Sequence, residues 1–187
     1  MVLLDARIGD MLLNRLEIFA DKLRGVLEPG ETATFLGAAT YIAGDEQLGE
    51  DRPRFDIALD LPDLLLGLPI PVLQARMDEL LIGRSLVGDP GCRAEALASV
   101  LSPTPDLLVT DRRLLVVKQD GNAFRVLWQA PREAIIAAAP AGRPGQRGRV
   151  RLVLGDGSGL AVVLGLVLPG RAKRFLAALQ PVAGELR

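Results

Sequence analysis

Four arginines crowd one glycine-rich stretch: Arg143, Arg147, Arg149 and Arg151. Their planar guanidinium forks suit phosphate oxygens, so this loop is the candidate anion or lipid contact. The plain alternative is a solvated loop. Other chemistry is thin. The chain has no histidine, which removes the commonest general base, every Ser-His or Cys-His nucleophile pair, and histidine metal ligation. The single cysteine, Cys92, stands in Pro90-Gly-Cys-Arg93 and suits a turn or packing role; it leaves no second thiol for a zinc site or disulfide within one chain. Gly155-Asp-Gly-Ser-Gly159 lacks the Gly-Lys-Ser/Thr ending of a phosphate loop and lies between strand-like runs, so it reads as a hairpin. Asp56, Asp60 and Asp63 have helical spacing, but Pro62 interrupts them, and they read as carboxylates on a solvated loop. No catalytic residue, metal or cofactor is expected.

The elements that carry these residues are mostly strands. Asp106–Thr110 and Arg113–Lys118 are apolar runs either side of Asp111-Arg112, where an Asp carboxylate accepting backbone N–H bonds suits a tight turn. Gln119-Asp-Gly-Asn122 is a hairpin signal, because Asp-Gly supplies the positive φ of primed turns. Ala123–Gln129 alternates, placing Phe124, Val126 and Trp128 on one face, and Pro131 ends it. Ala134–Ala138, Arg149–Leu154 and Leu160–Val167 follow, with Val150, Leu152 and Leu154 inward and Arg149 and Arg151 outward. With Glu31–Ile42 upstream the strands number seven. A helix from about Arg171 to Gln180 has Ala172, Phe175, Leu176 and Leu179 on one side, and Arg171, Lys173 and Arg174 away from it. A second helix over 11–26 begins at the N-cap Asp10 and places Leu12, Leu16, Phe19 and Leu23 along one stripe. Its polar face mixes acids with bases, so it is expected to pack on its own domain rather than on a membrane.

The succession Leu107-Leu-Val-Thr-Asp-Arg-Arg-Leu-Leu-Val-Val117, then Trp128, the apolar strand at Ile135, Gly155-Asp-Gly157, and Phe175 before Leu179 resembles bacterial pleckstrin-homology-like (PH-like, GRAM-like) domains. Leu27-Glu-Pro-Gly-Glu31 resembles their start. The likeness covers roughly residues 31–42 and 106–180. It implies an α+β fold: a seven-stranded antiparallel barrel capped by a C-terminal helix. It also implies a noncatalytic module that binds proteins, peptides or lipids. Eukaryotic members that bind phosphoinositides use basic residues in the first inter-strand loop. Here an acid-bearing insert occupies that place, so lipid binding does not simply carry over.

That insert, residues 44–105, is the main departure from the pattern. Val72–Leu86 reads as a helix and Ala94–Leu101 as a shorter one. Leu64, Leu65, Leu66, Leu68 and Ile70, followed by Leu73, Met77 and Leu80, form a strongly apolar set. Either they cover a face of the barrel or they form an exposed surface for a partner or for self-association.

The whole chain reads as one domain over residues 1–187. Nearly half its residues are apolar and 4% aromatic, so Leu, Val and Ala must build the core. Met1–Pro105 carries 9 basic and 17 acidic residues, whereas Asp106–Arg187 carries 13 and 6. Either the two parts fold onto one another or each meets a partner of opposite sign. With one Trp, one Tyr and no aromatics interleaved with arginine, nucleic acid is not an expected partner. No apolar run is long enough to span a bilayer and the first residues lack a signal-peptide pattern. The expectation is a cytoplasmic binding module whose partner is a protein or a second copy. Peripheral attachment to anionic lipid at the inner face of the membrane is the alternative.

Overall fold

The computed structural model describes residues 15–43, 45–49, 84–102, 105–141, 148–164 and 170–180. The chain enters through two short helical turns, α1 (Arg15–Ile18) and α2 (Ala20–Leu23). Phe19 N donates to Arg15 O and Leu23 N to Phe19 O, at 3.0 and 2.9 Å, so the helical ladder continues between them. Of the expected helix over 11–26, helical turns run from Arg15 to Leu23, residues 24–26 form a turn, and 11–14 lie outside the described residues.

Three strands follow: β1 (Ala33–Ala38), β2 (Thr40–Tyr41) and β3 (Asp45–Leu48). Beyond the insert come β4 (Arg84–Gly88), α3 (Arg93–Val100), β5 (Asp106–Thr110), β6 (Arg113–Asp120) and β7 (Ala123–Pro131). A 3-10 turn at Arg132–Ala134 leads to β8 (Ile135–Pro140), β9 (Arg149–Leu154), β10 (Gly159–Val163) and α4 (Gly170–Leu179).

The strands form two sheets. The first has the order β1-β5-β6-β7 and is antiparallel throughout. Both of its faces are buried. Leu107, Val109, Leu114 and Val116 enter the main core, while Leu108, Leu115 and Val117 join a smaller cluster with Leu23, Leu36 and Phe124. Leu16, Phe19, Val26 and Leu27 close that outer cluster, so the N-terminal helix packs on its own domain. A strand buried on both faces needs no polar alternation, which accounts for the unbroken apolar runs of β5 and β6.

The second sheet has the order β3-β4-β10-β9-β8, with β2 also paired to β10. Its ladders are antiparallel except β3–β4. A parallel pair requires a long crossover, and the 35 residues between Leu48 and Arg84 are ample for one. Between β1 and β2, Ala39 N donates to Pro105 O (3.0 Å) as the chain passes from one sheet to the other. Leu152, Leu154, Leu160 and Val162 face the inner layer of the first sheet, and α4 seals the core with Phe175, fully buried and edge-on to Phe35 at 5.3 Å. The architecture is α+β, with mostly antiparallel sheets and few helices among the described residues.

Several expectations need correction. Among the described residues the strands form two open sheets, with no closed seven-stranded barrel. Pro131 has no N–H to extend the ladder, the 3-10 turn follows it, and β8 then joins the other sheet. The insert adds β3 and β4 beyond β10. The expected helix Val72–Leu86 overruns, because Arg84–Leu86 belong to β4, where Leu86 pairs with Leu160 and is buried. Its residues 72–83 lie outside the described ones. The expected short helix at Ala94–Leu101 is present as α3, and Ala94, Leu97, Ala98 and Leu101 all enter the main core. The 84–101 part of the insert is thus structural.

The period of two in β7 also fails midway. Val116 pairs with Trp128 and Val117 with Val126, so Leu127 is an extra residue in a bulge. Phe124 and Val126 therefore pack in the outer cluster, whereas Trp128 packs against the main core.

Candidate functional site

The turn between β5 and β6 is held by Thr110, not by Asp111. Thr110 Oγ1 accepts from Arg113 N (2.8 Å) and Arg112 N (3.1 Å) and donates to Glu31 Oε1 (2.7 Å). Asp111 instead accepts from Thr32 N at 2.9 Å, tying the turn to the start of β1. Arg113 donates through Nε and Nη2 to the buried Glu31 carboxylate, and through Nη1 to Gln129 Oε1 at 2.7 Å. The paired guanidinium holds Glu31 at about 2, overcoming the opposing effect of burial. Glu28 stands 3.2 Å from the same guanidinium. Here acids of the first half meet bases of the second, as the charge asymmetry allowed.

Arg132 is likewise committed to the fold. Its guanidinium donates to Thr110 O, to Ala178 O in α4 and to Gln180 O just beyond it, placing a cation at a helix C-terminus. The β9–β10 hairpin caps α3. Asp156 Oδ2 accepts from Arg93 N (2.8 Å), Ser158 Oγ accepts from Ala94 N (3.1 Å), and Cys92 Sγ accepts from Glu95 N (3.4 Å). Burial pushes the Asp156 carboxyl up, but the Ser158 hydroxyl and the backbone N–H groups of Arg93 and Ser158 hold it below its usual value. Cys92 is an N-cap, and Gly155–Gly159 is a hairpin turn with a second task.

Two members of the expected arginine cluster are placed. Arg149 and Arg151 lie half-buried on β9, opposite Val163 and Ala161, with side chains on the same face two residues apart. Burial pushes the Arg151 guanidinium down. Arg143 and Arg147 lie outside the described residues. So do the expected partner residues Leu64, Leu65, Leu66, Leu68, Ile70, Leu73, Met77 and Leu80, and the acids Asp56, Asp60 and Asp63. Among the described residues, no group of His, Cys, Asp and Glu has a metal-holding arrangement, and no helix is long and apolar enough to cross a membrane.

The structure instead assembles a cationic cleft of about 250 Å³ between α1, β1 and α4. Arg15 comes from α1, Thr34 and Leu36 from β1, and Arg171, Arg174 and Ala178 from α4. Arg15 Nη2 donates to Asp106 Oδ2 at 2.6 Å, and Arg15 Nε is buried without an acceptor. Burial raises the Asp106 carboxyl above its usual value against the attraction of Arg15 and Arg171. Burial, then the like charges of Arg15 and Arg174, push the Arg171 guanidinium down. Sequence reasoning placed Arg171 and Arg174 on the outward side of the last helix and Arg15 on the polar face of the first. Their meeting depends on α1 and α4 converging on β1, which no local spacing encodes.

No family model matches the chain, and no curated protein matches it.

Proposed function

We propose that this chain is a noncatalytic binding module of the PH-like class whose partner is another protein. The partners of its hydrogen-bonded ionisable groups carry the noncatalytic part of the reading. Glu31, Arg113, Arg132 and Asp156 are each engaged in structural hydrogen bonds between elements rather than facing a shared pocket. Support for the PH-like class comes from strand order. With the insert set aside, β1, β5, β6 and β7 make one sheet, β8, β9 and β10 make another, and a C-terminal helix seals the core between them.

Support for a protein partner comes from the edge of the second sheet. The outer side of β3 pairs with no strand among the described residues, and Leu48 on β3 is 37% exposed. Ile42, just after β2, is 54% exposed. An unpaired edge offers backbone donors and acceptors to an extended segment of another chain, while neighbouring apolar side chains supply contact. Affinity purification of the tagged protein from its native host, with quantitative mass spectrometry, tests this. A stoichiometric partner recovered with the wild type and absent with Leu48→Asp plus Ile42→Asp is expected. Recovery of the bait alone would overturn the protein-partner reading.

Arg149 and Arg151 on one face of β9 favour a second reading, contact with an anionic lipid surface together with Arg143 and Arg147. Salt-sensitive sedimentation with anionic vesicles, lost on Arg147→Ala with Arg149→Ala, would place that reading first. Self-assembly through the Leu64–Leu80 set is separable by sizing: Leu65→Asp would then dissociate the assembly without unfolding it.

A further inference from the structure

We propose that the segment carrying α1 and α2 is a displaceable strap, and that the sheet face beneath it takes an amphipathic helix of a partner protein in its place. That the occupant is a protein rests on the protein-partner reading; the site itself is distinct from the edge of β3.

The outer face of the first sheet is apolar across all four strands. Leu36 of β1, Leu108 of β5, Leu115 and Val117 of β6 and Phe124 of β7 lie on it, each at most 7% exposed. An antiparallel sheet commonly leaves one face to water, so a continuous apolar face of this kind is built to be covered. In the folded chain the cover is a helical segment. Leu16, Phe19 and Leu23, spaced i, i+3 and i+7, pack on the face, and the Phe19 ring meets Phe124 edge-on at 5.6 Å. At one end Arg15 pairs with Asp106, and towards the other Lys22 Nζ donates to Gly121 O at 3.5 Å. The chain's own segment thus displays the chemistry that the face accepts: an amphipathic helix with that apolar spacing and flanking bases.

The cover is separable from the rest of the fold. Among the described residues the main core begins at Phe35, and no residue of α1 or α2 belongs to it. Of the three strap side chains Leu23 is fully buried, whereas Leu16 and Phe19 are half-buried. At Phe19 the backbone leaves helical geometry (φ −109°, ψ 11°), which divides the segment into two turns. An exposed turn at Arg24 and Gly25 ends it, and a Cβ at Gly25 would meet only Lys22 O, at 3.9 Å. Immediately beyond, the chain is locked. Val26 O accepts from Arg113 Nη2 at 3.3 Å, Glu31 pairs with the same guanidinium, and Thr32 N donates to Asp111. A hinge at Gly25 lets the strap lift while that lock and the main core stay intact. A competing helix then gains access in proportion to the fraction of molecules whose strap is lifted.

Hydrogen exchange of the whole protein, and fluorescence anisotropy with a labelled peptide of residues 11–28, test the strap. The Phe19, Leu23 and Leu27 amides, which donate to Arg15, Phe19 and Leu23 carbonyls, are expected to exchange through an opening that leaves the amides of β5 and β6 protected. Leu23→Ala in the protein weakens the strap and not the face beneath it, so the unaltered peptide should bind about tenfold tighter or more. The same substitution in the peptide should weaken binding by a similar factor. Phe19→Ala, at a half-buried position, gives the same pair of measurements if Leu23→Ala does not fold. Strap amides as protected as those of β5 and β6, or a peptide affinity unmoved by either substitution in the protein, overturn the proposal. Both readouts use the protein and its own segment, so their failure leaves the protein-partner reading standing. Recovery of the bait alone in affinity purification overturns that reading, and with it the identity of the occupant, while the strap stands.

Discussion

Glu31 illustrates how much of this molecule's polar chemistry is structural. Its side chain is fully buried and accepts from Arg113, Thr110 and the backbone of Glu28. Its carboxyl sits at about 2, well below the ordinary 4.5. Because the folded value is the lower one, the stabilisation is fully present above about pH 4.5 and is lost as pH falls towards 2. Glu31→Gln should therefore flatten the acid limb of the stability–pH curve over that window. At neutral pH it should cost roughly 2–4 kcal/mol, because Arg113 keeps its charge in a buried place without its principal counterion. Urea melts of both proteins from pH 2 to 7 check this; an unchanged acid limb would show that another carboxylate governs acid unfolding. Asp106 acts in the opposite sense. Its carboxyl is raised by burial, so protonation on acidification relieves strain rather than adding to it.

At the scale of elements, α3 depends on residues far from it in sequence. The hairpin after β9 supplies Asp156 and Ser158 to the first turn of the helix. Asp156→Ala removes an acceptor from Arg93 N and from Ser158, and the loss of such a cap costs about 1 kcal/mol. Hydrogen exchange should then quicken at the α3 amides and in the β9–β10 turn, while β5 and β6 stay protected. Gly88 ends β4 against the same cap. A Cβ there would stand 3.0 Å from Ser158 Cβ and closer still to Cys92 Sγ. Gly88→Ala should lower the melting temperature by several degrees, as overpacking typically costs ~1–3 kcal/mol.

Elements that rest on local chemistry were legible from the sequence. The Asp120-Gly121 turn formed as expected, with Gly121 at φ 57°. Val150, Leu152 and Leu154 face the core, and the last helix buries Ala172 and Phe175. What escaped depends on contacts between distant segments. The bulge at Leu127 turns Trp128 to the opposite face from Phe124, and a period-two count has no means of registering an unpaired residue. Residues 84–86 continue a helical pattern in isolation yet form a strand, because β3 and β10 flank them and satisfy their backbone groups. The cationic cleft was hidden for the same reason: Arg15 and Arg171 are neighbours only once the chain has folded.

The whole molecule is organised around one core drawn from nearly its full described length, from Phe35 through Leu86, Leu97 and Val116 to Phe175. No fragment of it holds a complete set of these side chains, so both sheets, α3 and α4 should lose structure together. Phe175 is the sharpest probe of this unity. It is fully buried, and it meets Phe35 of the first sheet edge-on from a helix connected to the second. Phe175→Ala should cost ~3–5 kcal/mol, a large part of the 5–15 kcal/mol typical of a domain. For a chain of this size that corresponds to a fall of roughly 10 °C in melting temperature. The distribution of the effect matters more than its size. If the core is one cooperative unit, amides in β5, β6, β9 and β10 should lose protection by the same free energy as those in α4. A loss confined to α4, with both sheets unchanged, would mean that the helix is a detachable lid and that the sheets are stable without it.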